Sequence, residues 1–308
     1  MSTAVSWQMS APNKNAAETH IPVLVREVLE GMDLKPGGIY VDGTLGAGGH
    51  AKAILKSCPD IKFFIGFDLD QQSMSEAGVA LKGFGDKVLL FYGNFKDMAK
   101  VLFSEEIERV DGVLLDLGIS SWQLEHGERG FSFQKDEPLD MRMDRTCGVT
   151  ASEMVNELPE DVLSKLIKNY GEERWARRIA RAIIKKRTDS PILTSAALAK
   201  VVCLAVPPKY RYGRIHPATR TFQALRIAVN QELENLKEAL GDIPECLNTG
   251  GRFCVISFHS LEDRMVKDVF RSDERLKPIT KKPITAKEDE IHKNPRARSA
   301  KLRVAQRI

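Results

Sequence analysis

The stretch Gly38-Ile39-Tyr40-Val41-Asp42-Gly43-Thr44-Leu45-Gly46-Ala47-Gly48-Gly49-His50 decides the fold of this chain. Residues 39–41 favour a strand, four of the next seven residues after Asp42 are glycine, and residues 51–56 favour a helix. Glycines permit a sharp turn and a close approach of the backbone to a ligand. A strand, a glycine turn and a helix in this order predict a cradle for a nucleotide-like cofactor.

Two cofactors fit this cradle. Gly46, Gly48 and Ala51 match the spacing of the dinucleotide-binding motif, and Asp68 ends the apolar stretch 63–68 at the distance where a carboxylate binds ribose hydroxyls. Asp42 would repel a pyrophosphate, whereas it would attract the cationic sulfonium and amino groups of S-adenosylmethionine. The pattern therefore favours S-adenosylmethionine, with an NAD-dependent oxidoreductase as the alternative.

The composition is that of an ordinary globular protein. The chain has 308 residues, enough for two domains or for one with an insertion, and a net charge of +4. Its five cysteines contain no Cys-x-x-Cys pair, which argues against a zinc site or a disulfide framework and fits a reducing compartment. No stretch is apolar enough to span a membrane. Residues 1–19 lack the apolar core of a signal peptide, so we expect a disordered tail and a cytoplasmic protein.

Apolar strands alternate with helices in the first part of the chain, which predicts a parallel sheet covered on both faces. The expected strands end at Asp42, at Asp68, before Asn94-Phe95 and near Asp116, and helices are expected over 70–81 and 97–103. Ligands in such sheets bind beyond the carboxyl ends of the strands. The sequence therefore predicts a site at this edge.

The alternation stops after the fourth strand, because the next candidate, 252–258, is too distant for a simple crossover. Helical patterns over 155–168, 172–187 and 194–203 predict an inserted helical domain spanning 121–216, which we expect to recognise the substrate. A single helix over 219–240 then returns the chain to the sheet. The methyltransferase-like domain would comprise 20–120 and 217–308. Residues 301–308 alternate polar and apolar, which predicts a half-buried edge strand.

Basic residues cluster in three places, at 172–187, 209–220 and 294–301, and the second cluster contains tyrosines. Cations bind phosphates and aromatic rings stack on unpaired bases, so this pattern favours a nucleic-acid partner. A solvated face of an amphipathic helix is the alternative for 172–187. A non-catalytic RNA-binding assembly factor, and an enzyme acting on DNA or on another RNA, also stay open at this point.

Several longer motifs carry a resemblance to a known family. They are residues 41–50, 114–121, 128–133, 138–144, 216–226, 257–264 and 294–299. In these motifs the chain resembles the bacterial ribosomal RNA small subunit methyltransferase H family, also called MraW. The resemblance implies a class I, Rossmann-like S-adenosylmethionine-dependent methyltransferase sheet with an inserted helical domain. It also implies methylation of N4 of a cytidine in the decoding centre of 16S rRNA. The partners implied are 16S rRNA and the small ribosomal subunit, with a homodimer as a further hypothesis and no membrane.

The resemblance also implies the site residues. The expected donor contacts are Gly48, Gly49, His50, Asp68, Phe95, Asp116 and Gln123. Among them, Asp68 would bind the ribose, Phe95 would pack on adenine, and Asp116 would face the methionine end or the incoming amine. As a separate mechanistic hypothesis, we expect Asp116, Ser120 (or Ser121) and Asp140 to be catalytic, with His259 nearby, and no metal-ligand cluster is evident.

Many amino-group methyltransferases carry an Asp/Asn-Pro-Pro-aromatic motif after the fourth strand. This chain has Asp116-Leu117-Gly118-Ile119-Ser120-Ser121 at that point. The departure leaves open which group orients the acceptor amine.

Overall fold

The computed structural model describes residues 22–119, 123–124, 128–213 and 215–308. The tail predicted over residues 1–19 and the predicted catalytic residue Ser120 lie outside these ranges.

One mixed sheet organises the chain. Its strands in the order β3-β2-β1-β4-β5-β8-β6 lie side by side, and β7 also pairs with β8. The first five strands run parallel, and β8 runs antiparallel to its neighbours. The strands are β1 (Ile39–Asp42), β2 (Phe63–Asp68), β3 (Val88–Tyr92), β4 (Val110–Asp116), β5 (Leu247–Ser257), β6 (Leu276–Pro278), β7 (Ile284–Thr285) and β8 (Lys301–Arg307).

The prediction of an edge strand over 301–308 is wrong. Strand β8 pairs with β5 on one side and with β6 and β7 on the other. Residues Leu302 to Ala305 are all buried, and they include the charged side chain of Arg303. The alternating pattern misled because β6 and β7 have only three and two residues, too few to be recognised as covering strands.

The part of the chain that the structure describes contains twelve α-helices. Those preceding β4 are α1 (Val25–Met32), α2 (Gly49–Ser57), α3 (Gln71–Leu81) and α4 (Met98–Ser104). Those between β4 and β5 are α5 (Ala151–Glu157), α6 (Glu160–Gly171), α7 (Ala176–Asp189), α8 (Ser195–Ala205), α9 (Thr219–Asn230) and α10 (Glu232–Cys246). The last two are α11 (Ser260–Ser272) and α12 (Glu288–Lys293).

Two predicted helices are each divided in the structure. The segment 155–168 is split by Pro159, which precedes α6 and has no N–H to donate to a continuing helix. The segment 219–240 is split at Gln231, whose φ of 51° is left-handed. Apolar spacing continues across both breaks, so periodicity alone could not locate them.

Three hydrophobic clusters form the core. One lies between the sheet and helices α1 to α3, and a second lies between the opposite face and helices α4, α10 and α11. The third joins helices α5 to α9 and extends as far as Val229. Because α9 shares this third core, we propose that the inserted domain ends near Gln231 rather than at His216.

None of the helices in the described ranges is both long and apolar enough to cross a membrane.

Candidate active site

Three adjacent strands end in aspartates at the same edge of the sheet. Strands β2, β1 and β4 end at Asp68, Asp42 and Asp116, and β1 lies between the other two. Parallel pairing places Asp42 opposite Gly66 and Leu114, so the three carboxylates crowd one edge. The predicted gathering of acidic groups at the strand ends is observed.

Asp42 is buried, and only one of its two carboxylate oxygens accepts hydrogen bonds from the described residues. Its Oδ1 accepts hydrogen bonds from the backbone nitrogen of Thr44 at 3.0 Å and from the Thr44 hydroxyl at 3.3 Å. Its Oδ2 is buried and has no hydrogen-bond partner among the described residues. Burial raises the pKa of Asp42 to about 6, although His50 and the Thr44 donors act in the opposite direction.

His50 and Asp116 lie beside this carboxylate. The Nε2 atom of His50 is 3.5 Å from Oδ2 of Asp116, a distance at which the two form an ion pair when the imidazole is protonated. Burial acts to lower the pKa of His50, but Asp116 and Asp42 outweigh it, so the net direction is upward. The other oxygen of Asp116, Oδ1, is buried and without a partner in the part described.

Asp68 holds the glycine loop. Its Oδ2 accepts a hydrogen bond from the backbone nitrogen of Gly46 at 2.7 Å, and its Oδ1 accepts one from Asp70 at 2.8 Å. Gly46 has a φ of +53°, which favours glycine at this turn. Burial raises the pKa of Asp68 to about 6. Each carboxylate oxygen has two acceptor sites, so ribose hydroxyls can still bind here.

Two glycines of the loop, Gly43 and Gly49, leave little or no room for a side chain. A Cβ placed on Gly43 would come within 2.5 Å of Leu115 Cδ2 and 2.9 Å of Phe95 Cβ. A Cβ on Gly49 would lie 3.1 Å from Pro22. Gly48, with a φ of +81°, directly precedes α2. Phe95 therefore borders the same loop as Gly48, Gly49 and His50.

A buried ion pair ties the segment after β4 to this edge. Asp70 Oδ2 accepts hydrogen bonds from Gln123 Nε2 at 2.9 Å and from Arg129 Nη2. The side chains of Asp70 and Arg129 are each only 4% exposed. Sequence patterns assign no role to Asp70 or Arg129, and the one signal they offer is the presence of Arg129 in the motif 128–133.

Arg129 also organises the segment that contains Asp140. Its Nη1 donates to the carbonyl oxygens of Arg142 at 3.3 Å and Met143 at 3.0 Å. Both carboxylate oxygens of Asp140 accept hydrogen bonds from the Arg142 guanidinium, at 2.7 and 3.0 Å. Burial opposes ionisation of Asp140, but Arg142 prevails and lowers its pKa. Arg142 thus engages the carboxylate of Asp140 on both oxygens.

His259 belongs to a separate network. It caps α11, where its Nδ1 accepts a hydrogen bond from the backbone nitrogen of Glu262 at 3.4 Å. Glu232, His259 and Glu262 have ligand-type atoms within 4.8 Å of one another. Arg226, however, forms two hydrogen bonds of 2.8 Å with Glu232. Ion pairing accounts for this cluster, and no described hydrogen bond or ion pair joins it to Asp42 or Asp116.

A family model for MraW methylases matches residues 17–308. The chain belongs to the MraW methylase family. A relative named ribosomal RNA small subunit methyltransferase H, from Syntrophus aciditrophicus, is 50% identical and covers 94% of this chain and 98% of its own length. The protein of the same name from Clostridioides difficile is 44% identical, with 94% and 99% covered. A solved putative rRNA methylase from Clostridium thermocellum is 12% identical, covers 94% and 100%, and has a TM-score of 0.47.

Membership in the MraW family confirms three predictions. The resemblance is confirmed, as are the Rossmann-like methyltransferase fold and S-adenosylmethionine as the cofactor. The alternative of an NAD-dependent oxidoreductase is wrong, because the family is one of methylases. The glycine spacing that suggested it is common to both kinds of cofactor site.

Proposed function

We propose that this MraW-family protein transfers a methyl group from S-adenosylmethionine to N4 of a cytidine in the decoding centre of 16S rRNA, in the cytoplasm. The relatives' name, ribosomal RNA small subunit methyltransferase H, supports the substrate class. The observation that carries the proposal is the pair of carboxylates of Asp42 and Asp116, each with one buried oxygen that is unpartnered in the described part.

Buried carboxylate oxygens without donors are costly, since burial of a charge needs a compensating partner. Asp42 and Asp116 are next to the glycine loop, where a cofactor would lie. S-adenosylmethionine carries a cationic sulfonium and a cationic amine. The unpartnered oxygen of Asp42 fits the cationic amine of this cofactor, whereas it would repel a pyrophosphate, and the unpartnered oxygen of Asp116 stays open to the acceptor.

The remaining donor contacts follow from position. We assign the ribose hydroxyls to Asp68 and the adenine face to Phe95, which borders the loop at the end of β3. The backbone of Gly48 and Gly49 lies at the start of α2, where side chains would prevent close approach. We assign the methionine amine to Asp42, because its unpartnered oxygen adjoins the glycine loop.

When bound, S-adenosylmethionine supplies an electrophilic methyl group. The exocyclic amine of cytosine is a weak nucleophile, so the residues around it must hold it in line with that methyl. We assign Asp116 Oδ1 to accept a hydrogen bond from N4–H, which stabilises the positive charge developing on nitrogen. His50 holds the opposite oxygen of Asp116 and so fixes its orientation. The extra proton on N4 then passes to Asp116 or to solvent.

The other predicted residues take positioning roles in this proposal. Gln123 donates a hydrogen bond to Asp70, and Asp140 accepts one from Arg142. Both residues therefore hold the segment beside the acceptor pocket in place. Ser120, outside the described ranges, stays a candidate acceptor for the amine.

A basic aromatic cluster on the inserted domain suits the RNA. The guanidinium of Arg174 lies 4.1 Å from the ring centre of Tyr210, and Tyr210 lies 5.7 Å from Trp175. Tyr212 nearby is 94% exposed. Arg and aromatic rings in this arrangement bind unpaired nucleotides by charge and by stacking. We propose that this surface contacts 16S rRNA within the small subunit. A homodimer stays a prediction.

The test replaces Asp116 by Asn, which keeps the shape and removes the charge. We expect rRNA methylation to fall by at least about 100-fold, as for other electrostatic transition-state groups. Lys277→Ala, an exposed change on β6, serves as the control. Near-normal methylation by the Asp116→Asn variant, with unchanged donor affinity, would show that the role assigned to Asp116 is wrong.

A further inference from the structure

One cavity is separate from the carboxylate cluster and lies on the β8 side of the sheet. It has a volume of about 330 Å³ and opens between α11 and strands β6 and β8. Its lining residues are Lys267, Phe270, Arg271, Pro278, Thr280, Lys281 and Arg303. Four of these seven residues are cationic and none is acidic, so the cavity suits an anion.

Arg303 is the buried cation of this cavity. Its side chain is 8% exposed, and its Nε donates to Asp263 Oδ1 at 2.7 Å. The hydrogen bond described for this guanidinium uses Nε alone, and the residue lines the cavity. The planar guanidinium group can donate two parallel hydrogen bonds to two oxygens of one phosphate. The terminal nitrogens of Arg303 therefore suit a phosphate ligand.

The two nearby aspartates do not neutralise all of the positive charge that lines the cavity. Asp263 is shared between Arg303 and Lys301, and Asp268 lies 3.2 Å from Lys267. Arg271 and Lys281 have no ion-pair partner within the described ranges. The cavity wall therefore carries at least two uncompensated positive charges.

Uncharged groups complete the site. Thr280 Oγ1 accepts a hydrogen bond from the backbone nitrogen of Val304 at 3.0 Å, which leaves the hydroxyl proton to donate to a ligand. Phe270 and Pro278 supply an apolar wall. The volume exceeds the need of one phosphate and lies at the lower end of ligand pockets, so a nucleotide unit fits.

The cavity is close to the carboxylate edge. Arg303 pairs with Val255 of β5, which pairs with Leu115 of β4, the residue before Asp116. Two strand spacings amount to about 10 Å. An RNA strand that places one nucleotide at Asp116 can therefore reach this cavity with another.

We propose that this cavity binds a phosphate of the RNA strand outside the target nucleotide. Arg303, Arg271 and Lys281 hold the phosphate oxygens, and Thr280 donates to one of them. This inference rests on the proposed function, because it assumes an RNA substrate. It adds a phosphate-binding contact on the sheet domain, whereas the aromatic cluster of the inserted domain contacts the RNA by charge and by stacking.

The test measures binding of a short fluorescent single-stranded RNA to the full chain at several salt concentrations. The double variant Arg271→Ala/Lys281→Ala removes two exposed cations for which the described ranges hold no ion-pair partner. The matched control, Lys56→Ala/Lys82→Ala, removes two exposed lysines away from the cavity. S-adenosylmethionine affinity, measured separately, should be the same in all three proteins.

We expect the cavity variant to lower the slope of log affinity against log salt by about 0.7, the value for one lost phosphate contact on a single strand. The corresponding loss of RNA affinity is about 5-fold at 0.1 M salt. The proposal is overturned if the cavity variant and the control bind RNA equally. It is also overturned if inorganic phosphate or a mononucleotide binds the cavity while RNA binding is unaffected. Normal RNA binding by the wild type without methyl transfer would instead contradict the proposed function.

Discussion

The hydroxyl oxygen of Thr44 lies 2.6 Å from the backbone nitrogen of Asp116 and accepts its hydrogen bond. The same hydroxyl donates to Asp42 Oδ1 at 3.3 Å. One side chain in the glycine loop thus joins the ends of β1 and β4. This link sets the separation of the two carboxylates that we assign to the donor and to the acceptor amine.

Replacing Thr44 by Val keeps the shape of the side chain and removes both hydrogen bonds. The backbone nitrogen of Asp116 then lacks its acceptor, which costs about 1–3 kcal/mol of unfolding free energy. We expect weaker donor binding and slower methyl transfer, measured by calorimetry and by a methylation assay. Thr44→Ser retains the hydroxyl and should behave almost as the wild type. Equal activity in the Val and Ser variants would contradict the role of the link.

Donor affinity should depend on pH through Asp42 and Asp68. Both have a pKa raised to about 6, so both are ionised at pH 7 and mostly protonated at pH 5. Protonated Asp42 no longer attracts a cation. Between pH 7 and pH 5 we expect the dissociation constant to rise about tenfold for each carboxylate that must be ionised. Protonation of His50, whose pKa is raised, acts in the same direction.

Calorimetric titration across this pH range measures the effect. Asp42→Asn should bind the donor more weakly at pH 7. Between pH 7 and pH 5 its dissociation constant should rise about tenfold less than that of the wild type. The folding stability of the protein without donor should depend on pH in the opposite direction to donor affinity. Carboxylates whose pKa is raised on folding bind protons more readily in the folded state, so their contribution to stability falls as pH rises from about 4 to 6. A pH-independent affinity would contradict both assignments.

Gly43→Ala tests the close packing around this glycine of the loop. The added Cβ would come within 2.5 Å of Leu115 and 2.9 Å of Phe95, and overpacking of this kind costs about 1–3 kcal/mol. We expect a lower unfolding free energy in urea and a weaker donor affinity, because Phe95 is displaced. Gly83→Ala, where no atom lies within 4 Å of the added Cβ, is the control. Similar stability in both variants would rule out the packing constraint.

The Asp70–Arg129 pair should couple strongly. Each partner is buried, so removing one leaves an uncompensated charge at a cost of about 3–5 kcal/mol. Asp70 also caps α3, where its Oδ1 accepts hydrogen bonds from the backbone nitrogens of Gln72 and Ser73. Asp70→Asn preserves this cap, and Arg129→Gln preserves part of the packing. The double variant should lose about 1–3 kcal/mol less than the sum of the single losses, as measured by urea unfolding. Strict additivity would show that the pair does not interact.

The sequence predicts the carboxylate edge well because local signals carry it. Strands β1, β2 and β4 are apolar runs that end in Asp42, Asp68 and Asp116, and parallel strands bring their ends together. The Asp70–Arg129 pair was not predictable in this way. Its partners are 59 residues apart, and charged residues in helices and loops are usually solvent-exposed.

Other differences arise from tertiary structure. The interior position of β8 depends on two very short strands that supply no periodic signal. The break at Gln231 depends on a single left-handed residue within a continuous apolar pattern. The cavity around Arg303 joins residues of α11, β6 and β8, and their common charge becomes evident only once these elements pack together.

The most direct test of the central claim is methyl transfer to the proposed base. Small ribosomal subunits lacking the modification are incubated with the protein and isotope-labelled S-adenosylmethionine, and the rRNA nucleosides are resolved by mass spectrometry. We predict label in N4-methylcytidine, and its loss with the Asp116→Asn variant. Label in another nucleoside, or no label in subunits and free 16S rRNA despite measurable donor binding, would contradict the account.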